Sequence, residues 1–409
     1  MSADRPTPDR FTPDGAGSDD ASSERLALPR SILDRVAGRF RSDETPADVG
    51  DDDGGDDDTI DVLPSEQTRT AGLMAVGVAA GATTLALLSR GYATYRSERD
   101  AAYARVAPTE HRVADTPVGD VEYRDRGSGV PVLVSHGIVG GCDQAMQIGR
   151  SLVDDARIVA PSRFGYLGSE IPTYPSPATQ ARAFAELLDD LDVDDAVVVG
   201  TSAGAPAAIR FALDHPERTR GLVLLAAGTP PASAFAPDDD RDRDRDGPTG
   251  PPAPLLRDPV FWLVRSRAPG LLRRTFGVSG DDWALATDAD RDRVDALLDT
   301  LFPVAPRREG IALDTEFTNP HVAEYPDRYD PANLTVPTLV VHARDDPLAD
   351  FADAEAFAER APNAALRAYD TGGHLVFGHG DDVRDAVTAF ANAPADWLAA
   401  NADARNPTL

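Results

Sequence analysis

The feature that most constrains the fold is the segment AVVVGTSAG, residues 196–204. Its β-branched run predicts a strand buried on both faces, and a helix is predicted to begin at Ala203. Between the two, Gly200 and Gly204 bracket Ser202 in the pattern G-x-S-x-G. A strand that passes directly into a helix needs a sharp turn, and we expect glycines there because side chains would clash.

Strands and helices alternate on both sides of this turn, from about residue 120 onward. Apolar runs such as VVVG and LVVH are typical of strands that are buried on both faces. The pattern therefore predicts an α/β fold with a mainly parallel central sheet flanked by helices. The predicted strands are residues 121–126, 130–135, 157–161, 195–200, 221–226, 335–341 and 365–369, and the predicted helices are residues 144–153, 178–191, 203–213, 351–360 and 383–391.

The alternation breaks between the strands predicted at 221–226 and 335–341. This stretch begins with the low-complexity run PDDDRDRDRDGPTGPPAP and continues with helical periodicity. About a hundred residues are too many for a loop inside a compact domain. We expect a helical cap over the carboxyl edge of the sheet at approximately residues 232–333, called the cap segment below.

Residues 1–65 have the composition of a disordered extension, rich in Pro, Gly, Ser and Asp. Within them Ile32, Leu33, Val36 and Phe40 fall at helical spacing. This spacing fits a docking helix for a membrane surface or a partner, or a transient helix without a role. At the other end, residues 396–409 are expected to form a tail.

The segment from Ala71 to Ser89 carries no charged residue. As a helix it would span roughly 28 Å, close to the ~30 Å hydrocarbon core of a bilayer. Two interpretations stay open for residues 66–100, a single-pass membrane anchor or a helix packed on the folded domain. With an anchor, the arginines that follow the segment place the C-terminal domain in the cytoplasm. Without an anchor, the protein is expected to be cytoplasmic.

The composition argues against several classes of function. Asp and Glu number 69 against 40 basic residues, all of them arginine, which gives a formal charge of −29. Nucleic-acid binding depends on cationic residues, so we expect no nucleic-acid partner. A chain without lysine also lacks the lysine of a Walker-type nucleotide site. Lysine-free, aspartate-rich chains resemble the proteins of extreme halophiles.

Cys142 is the only cysteine in the sequence. A single cysteine forms no intrachain disulfide, and we expect no cysteine-based metal site. We interpret Cys142 as a small packing residue. Neither a metal nor an organic cofactor is expected.

Ser202 is the candidate nucleophile, although a serine at this place also fits a helix cap. A nucleophilic serine needs a histidine base and a carboxylate that orients it. His374, in TGGHL after the last predicted strand, should reach the edge of the sheet where Ser202 lies, and His379 is the nearby alternative. The acid should come from VVHARDDPLAD, where we select Asp346 and interpret Asp345 as a solvated surface residue.

Two backbone N–H groups are candidates for an oxyanion hole. The Ala203 N–H lies at the start of the helix after Ser202, where free N–H groups and the positive end of the helix dipole attract an anion. The Ile138 N–H comes from LVSHGIVGGCDQ, the glycine-rich loop after an early strand. The chain order Ser202, Asp346, His374 matches the order described for one group of triad enzymes.

Six segments resemble the α/β-hydrolase superfamily in order, over roughly residues 104–395. They are SHGIVGG, APSRFGYLGS, VVGTSAGAPAA, HPERTRGLVLLA, VHARDDPLAD and DTGGHLVFGHG. The resemblance implies a capped serine hydrolase of undefined substrate, with Ser202 as nucleophile, Asp346 as acid and His374 as base. It also implies that Ile138 and Ala203 donate to the oxyanion.

The expected reaction is cleavage of an ester, thioester or amide bond of a small acyl substrate through an acyl-enzyme. A cofactor-free perhydrolase or acyltransferase uses the same triad and stays an alternative. A membrane-tethered binding module without turnover is the alternative from another class. Dehalogenases and soluble epoxide hydrolases are disfavoured, because both use an aspartate where Ser202 stands.

Overall fold

The structure, a computed structural model, describes residues 66–107, 111–235 and 250–401, with the side chains of residues 66–85 excepted. The expectations for residues 1–65, for most of the low-complexity run and for the end of the C-terminal tail therefore lie outside the described residues. Residues up to Met74 form a separate unit. Everything discussed below, apart from the start of the first helix, belongs to the compact unit Ala75–Leu409.

The segment from Ala71 to Ser89 lies in one long helix, α1 (Glu66–Arg105). Over the part of the chain that the structure describes, no helix has both the length and the apolar character that a bilayer crossing requires. The predicted membrane anchor is therefore not supported.

The end of α1 contacts the cap segment through polar side chains. Glu98 accepts a hydrogen bond of 2.9 Å from the indole Nε1 of Trp262. Tyr103 donates from its hydroxyl to Asp258 over 2.8 Å. These contacts lie beyond Ala71–Ser89, so they attach the end of α1 to the cap segment and do not decide between the two interpretations of that segment.

Eight strands form one sheet. They are β1 (Arg112–Thr116), β2 (Gly119–Arg126), β3 (Val130–Ser135), β4 (Ala156–Pro161), β5 (Ala196–Thr201), β6 (Thr219–Leu225), β7 (Thr338–Ala343) and β8 (Ala364–Tyr369). Their order across the sheet is β1-β2-β4-β3-β5-β6-β7-β8. The β1–β2 and β2–β4 pairs are antiparallel, and every other pair is parallel. The predicted mainly parallel sheet is confirmed.

Helices cover both faces of the sheet and fill the cap segment. Those outside the cap segment are α2 (Cys142–Leu152), α3 (Pro177–Asp190), α4 (Ala205–Asp214), α11 (Phe351–Arg360), α12 (Gly380–Asn392) and α13 (Pro394–Ala400). Those within the cap segment are α5 (Asp258–Arg267), α6 (Pro269–Thr275), α7 (Gly280–Leu285), α8 (Asp288–Asp299), α9 (Arg308–Leu313) and α10 (Asn319–Glu324).

Successive strand residues face opposite helical layers, as the period of two requires. Leu133 of β3 belongs to the apolar core that includes residues of α3, α4 and α11. Its neighbours Val132 and Val134 belong to a second core with α2 and α12. All three side chains are fully buried. Burial on both faces explains why the strands read as continuous apolar runs.

Two local predictions differ from the structure. Strand β1 was not predicted, because it lies at the edge of the sheet and its Val113 stays 57% exposed, so its sequence has no apolar run. The helix predicted to begin at Ala203 begins at Ala205, since Ser202–Gly204 form a tight 3₁₀ turn first.

The glycines around this turn are required by close backbone contacts, as predicted. A Cβ placed on Gly200 would lie 2.6 Å from the Cβ of Ala208. A Cβ on Gly204 would lie 2.3 Å from the carbonyl oxygen of Ser135 at the end of β3. Ser202 between them has a φ of 50°, a left-handed conformation that a side chain rarely adopts. The turn therefore exists only while the packing around it holds it.

Gly204→Ala should destabilise the protein, because its methyl group meets backbone atoms that cannot move aside. We expect the free energy of unfolding to fall by about 1–3 kcal/mol or more. The matched control is Gly270→Ala in α6, where a Cβ meets no atom within 4 Å. That control should raise the free energy of unfolding by about 0.5–1 kcal/mol. Urea titrations of both variants measure the difference, and equal values would contradict the packing argument.

Candidate active site

The structure brings Ser202, His374 and Asp346 together at the carboxyl ends of three parallel strands. Ser202 follows β5, Asp346 follows β7, and His374 lies in a 3₁₀ turn after β8. His374 Nε2 is 2.9 Å from the Ser202 hydroxyl oxygen. Its Nδ1 is 2.8 Å from a carboxylate oxygen of Asp346. The three predicted residues thus form one continuous chain of hydrogen bonds.

The hydrogen-bond partners assign the tautomer of His374. Nδ1 faces a carboxylate, which only accepts, so we place the ring hydrogen on Nδ1. Nε2 then presents its lone pair to the Ser202 hydroxyl, which donates. His374 is therefore oriented as a proton acceptor for Ser202.

The Asp346 side chain is fully buried and surrounded by donors. Its Oδ1 accepts from the backbone N–H groups of Leu348 and Ala349 over 2.8 and 3.1 Å. Burial alone would raise the pKa of Asp346, but hydrogen bonds from His342, His374 and the backbone hold it well below its usual range. Asp346 is thus an ionised acceptor for the ring N–H of His374.

His342 is a member of this site that sequence reasoning did not identify. Its side chain is fully buried at the end of β7. Its Nε2 lies 3.3 Å from the second carboxylate oxygen of Asp346 and 3.0 Å from the carbonyl of Ala349. The available signal was its position at the end of the strand, four residues before the acid.

Asp345 has a different role from the one expected. Its residue is exposed, but its carboxylate accepts from the backbone N–H groups of Gly373 over 2.8 Å and Gly372 over 3.3 Å. These glycines immediately precede His374, and both have positive φ. Asp345 therefore shapes the turn that carries His374 and is more than a solvated surface residue.

His379, the alternative base, lies apart from Ser202. Its Nε2 is 3.1 Å from the carbonyl of Thr371, and its ring stacks on Tyr369 with centroids 4.3 Å apart. The geometry therefore favours His374 over His379.

The loop between β3 and α2, residues 136–141, lies against Ser202. A Cβ built on Gly137 would be 3.3 Å from the Cβ of Ser202. The Gly137 carbonyl accepts from Arg163 Nη2 at 3.3 Å, His136 Nδ1 at 2.8 Å and the Gly140 N–H at 3.2 Å. The peptide after Gly137 is trans, so the N–H of Ile138 points away from these donors.

His136 and Arg163 hold the start of this loop. The Arg163 backbone N–H donates to His136 Nε2 over 2.9 Å, and Arg163 Nε donates to the His136 carbonyl over 2.8 Å. Burial and then the charge of Arg163 lower the pKa of His136 well below its usual value. The His136 ring is therefore neutral, with its hydrogen on Nδ1, where it donates to Gly137.

Ala203 follows Ser202 at the start of the 3₁₀ turn. The first N–H groups of a helical turn have no partner within the turn. The turn is fixed from below, where the Ser135 hydroxyl donates to the Gly204 carbonyl over 2.8 Å. Ala203 and Ile138 thus flank Ser202 on two separate, well-supported segments.

Comparisons with known proteins agree with the fold. The family model of the alpha/beta hydrolase fold matches residues 130–249, which include Ser202 and end before Asp346 and His374. A solved alpha/beta hydrolase fold protein from Nakamurella multipartita is 26% identical, with a TM-score of 0.58, and the match covers 70% of this chain and 99% of that one. The chain has the α/β-hydrolase fold.

Curated relatives of this α/β-hydrolase match it over shorter stretches. The uncharacterized hydrolase YcgS of Bacillus subtilis is 35% identical over 27% of this chain and 39% of its own length. The 2-hydroxy-6-oxo-6-phenylhexa-2,4-dienoate hydrolase of Burkholderia cepacia is 31% identical over 29% of this chain and 43% of its own. The haloalkane dehalogenase 2 of Mycobacterium tuberculosis is 33% identical over 32% of this chain and 46% of its own. The chain spans less than half the length of each.

The cap segment of this α/β-hydrolase reaches the histidine turn. The backbone N–H of His374 donates to the carbonyl of Phe276 over 2.8 Å. The Phe276 ring stacks against the imidazole with centroids 6.2 Å apart. A Cβ on Gly373 would lie 2.4 Å from the same carbonyl. The cap segment therefore covers the base of the candidate triad with an aromatic side chain.

A cleft of about 610 Å³ lies elsewhere, between α1 and the cap segment. Tyr95 and Arg99 of α1 line one side, and Arg257 and Arg308 line the other. None of the three candidate triad residues lines it. Its size suits a ligand, but its lining includes no residue of the candidate triad.

His111, Glu122 and Cys142 place three potential metal-ligand atoms within 4.8 Å of one another. The lone cysteine had suggested that no such group exists, yet zinc accepts these ligand types. Two features oppose a cation here. The guanidinium Nη2 of Arg124 lies 3.2 Å from His111 Nε2, and the Glu122 carboxylate already accepts from the Ser162 hydroxyl over 2.9 Å. These contacts favour a hydrogen-bonded network over a metal centre.

Asp346→Asn should lower the free energy of unfolding by an amount that depends on pH. Because the folded pKa of Asp346 is depressed, its contribution is complete above the unfolded value of about 3.9 and is lost as pH falls through the folded value. We expect the variant to be less stable than wild type by about 1–3 kcal/mol near neutrality. Urea unfolding over a series of pH values should show this difference shrinking below about pH 4.

Asp370→Asn is the matched control for that experiment. Its side chain is 83% exposed and pairs with Arg344 over 3.6 Å. Such a surface pair contributes less than about 1 kcal/mol, so this variant should follow the wild type at every pH. A constant difference for Asp346→Asn across the whole series would contradict the assigned ionisation.

Proposed function

We propose that this α/β-hydrolase is a serine hydrolase that cleaves an ester, thioester or amide bond through an acyl-enzyme. The observation that carries the proposal is the hydrogen-bond chain from the Ser202 hydroxyl through His374 to Asp346. A hydroxyl beside a correctly oriented imidazole is the arrangement that makes serine nucleophilic near neutral pH.

The reaction begins with attack of Ser202 Oγ on the carbonyl carbon of the substrate. His374 Nε2 accepts the hydroxyl proton, and the ionised Asp346 stabilises the imidazolium that forms. Collapse of the tetrahedral intermediate breaks the bond to the leaving group, which receives the proton from His374. A water molecule, activated by the same imidazole, then attacks the acyl-enzyme and restores Ser202.

The oxyanion of each tetrahedral intermediate would lie between the N–H groups of Ile138 and Ala203. The Gly137 carbonyl, bound to Arg163 and His136, turns the Ile138 N–H toward the opposite side of the peptide. One oxyanion donor contributes roughly 3–4 kcal/mol to transition-state stabilisation in a serine hydrolase. Because both donors are backbone groups on supported turns, little reorganisation accompanies the reaction.

The comparisons support hydrolysis as the reaction class without naming a substrate. One relative is named as a hydrolase of a phenylhexadienoate, and another is named as a haloalkane dehalogenase. A dehalogenase reaction uses an aspartate nucleophile, and Ser202 stands at that position here. The candidate site itself indicates the substrate class, which is a carbonyl compound whose carbon the Ser202 hydroxyl can attack.

A fluorophosphonate probe should label the wild-type protein, and Ser202→Ala should abolish the labelling. The probe forms a bond only with an activated serine, so labelling reports the assembled triad. Molar KCl in the buffer screens the charge of −29 during the assay. Ser266→Ala, which removes an exposed hydroxyl in the cap segment, is the matched control and should label normally.

The same variants should be assayed with p-nitrophenyl esters of increasing acyl length, which also maps the acyl pocket. Folded wild-type protein that neither labels nor turns over any ester would favour the binding module without turnover. Labelling that survives Ser202→Ala would place the nucleophile at another residue.

His374→Ala should abolish ester turnover, whereas His379→Ala should retain most of it. Only His374 contacts Ser202, while the contacts of His379 are to Thr371 and Tyr369. We expect a loss of about 10⁴-fold or more in kcat for the first variant and less than about threefold for the second. Adding Ser202→Ala to His374→Ala should lower kcat little further, because the triad acts as a unit. Equal losses in the two histidine variants would refute the assignment of the base.

A further inference from the structure

Two buried Arg–Asp pairs join the cap segment to residues that contact the β3–α2 loop; in one the arginine lies outside the cap segment, and in the other it lies within the cap segment. Arg163, which follows β4, pairs with Asp314 of the cap segment. Arg307 of the cap segment pairs with Asp143 at the start of α2. All four side chains are at most 5% exposed, so solvent screens neither pair.

The Arg163–Asp314 pair is bidentate. Nη1 and Nη2 of Arg163 donate to the two carboxylate oxygens of Asp314 over 2.7 and 2.5 Å. The Tyr166 hydroxyl donates to Asp314 over 2.6 Å as a third partner. A planar guanidinium bound at two points cannot rotate, so Asp314 sets the orientation of the whole Arg163 fork.

The remaining donors of that fork act on the β3–α2 loop. Nε of Arg163 donates to the His136 carbonyl over 2.8 Å, and Nη2 also reaches the Gly137 carbonyl at 3.3 Å. The Gly137 carbonyl belongs to the same rigid peptide as the Ile138 N–H. Two successive hydrogen bonds, from Arg163 to Asp314 and from Arg163 to the Gly137 carbonyl, therefore connect the Asp314 carboxylate to the peptide that carries the Ile138 N–H.

Asp314 lies in a part of the cap segment with an unusual backbone. It begins a single π-helical turn, Asp314–Thr318, that directly follows α9. Such turns inside helical segments are often found at functional sites. The cap backbone also approaches closely here, since the Gly310 N–H donates to the Gly165 carbonyl over 2.8 Å. The contact between Asp314 and Arg163 is thus part of a docked surface.

We propose that Asp314 is a positioning residue of the oxyanion hole, acting through Arg163 on the Ile138 N–H. The cap segment thereby contributes to the chemical step, because its docked carboxylate completes the alignment of one oxyanion donor. This inference rests on the proposed serine hydrolase function. Arg307 holds the other end of the same loop, where its Nη1 donates to the Gly140 carbonyl over 2.5 Å.

The test compares Asp314→Asn with wild type on a p-nitrophenyl ester. The amide retains the shape of the carboxylate but loses the charge and one of its acceptor oxygens. We expect kcat to fall by about 10- to 100-fold while KM stays within about threefold, because an oxyanion donor acts in the transition state and not on the bound ester. Rates are divided by the number of reactive serines, counted at the end point of fluorophosphonate labelling.

Glu98→Gln is the matched control. It removes a carboxylate that also joins the cap segment to the rest of the unit, through Arg265 at 2.8 Å, but lies outside the Arg163 network. Its kcat per reactive serine should equal that of wild type. An equal fall in both variants would mean that any weakening of the cap segment has the effect, which would overturn the specific role of Asp314.

A second measurement separates positioning from general damage. A trifluoromethyl ketone adds to the nucleophilic serine as a tetrahedral oxyanion, so its inhibition constant should rise in proportion to the fall in kcat/KM. Arg163→Lys keeps the positive charge but loses the fork, and it should show the same proportionality. If Asp314→Asn does not fold, Asp314→Glu, which retains the charge but displaces it, takes its place with the same expectation.

The outcomes distinguish this inference from the proposed function. Unchanged kcat in folded Asp314→Asn, or a loss confined to KM, would overturn the role of Asp314 while wild-type turnover still supported a serine hydrolase. Wild-type protein without labelling or turnover would remove the proposed function itself and the inference with it.

Discussion

The close contact between the turn after β5 and the end of β3 is the constraint on which the candidate site depends. Gly204 fits against the Ser135 carbonyl only because it has no side chain, and the Ser135 hydroxyl donates back to it. This contact holds Ser202 at a positive φ and raises its hydroxyl above the sheet. The same contact brings the β3–α2 loop beside Ser202, so one packing interaction defines the position of Ser202 and of the loop next to it.

Buried ion pairs hold the cap segment and the β3–α2 loop in place beside Ser202. The surface of a chain with a charge of −29 is dominated by carboxylates, yet the interior contains matched arginine–aspartate pairs. Removing one partner from such a pair is costly, because the other charge is left buried. The cap segment is therefore attached by specific ion pairs as well as by apolar packing, and the arginines of both pairs also donate to the backbone of the loop beside Ser202.

Much of the fold and the centre of the candidate site could be predicted from local patterns. The apolar run before Gly200 predicts a buried strand. Because parallel strands bring their carboxyl ends to one edge of the sheet, His374 after the last strand could be placed near Ser202. Asp345, His342 and Asp314 could not be assigned in the same way. Their roles depend on which backbone or side chain stands opposite them across elements far apart in sequence. The anchor expectation is not supported, because among the described residues no helix is long and apolar enough to cross a bilayer.

The cap segment interrupts the chain between β6 and β7, two strands that are direct neighbours in the sheet. Closing a connection ten times longer than a tight one costs only about 2 kcal/mol of chain entropy, since the cost grows with the logarithm of length. Adjacent strands therefore tolerate a large insertion at a small thermodynamic penalty. The insertion is instead expected to slow folding, because β6 and β7 are far apart in sequence and must pair before the histidine turn can form. The contacts that position Ser202 join β3 and β5, which lie closer in sequence than β6 and β7, so we expect His374 to reach its place after Ser202 does.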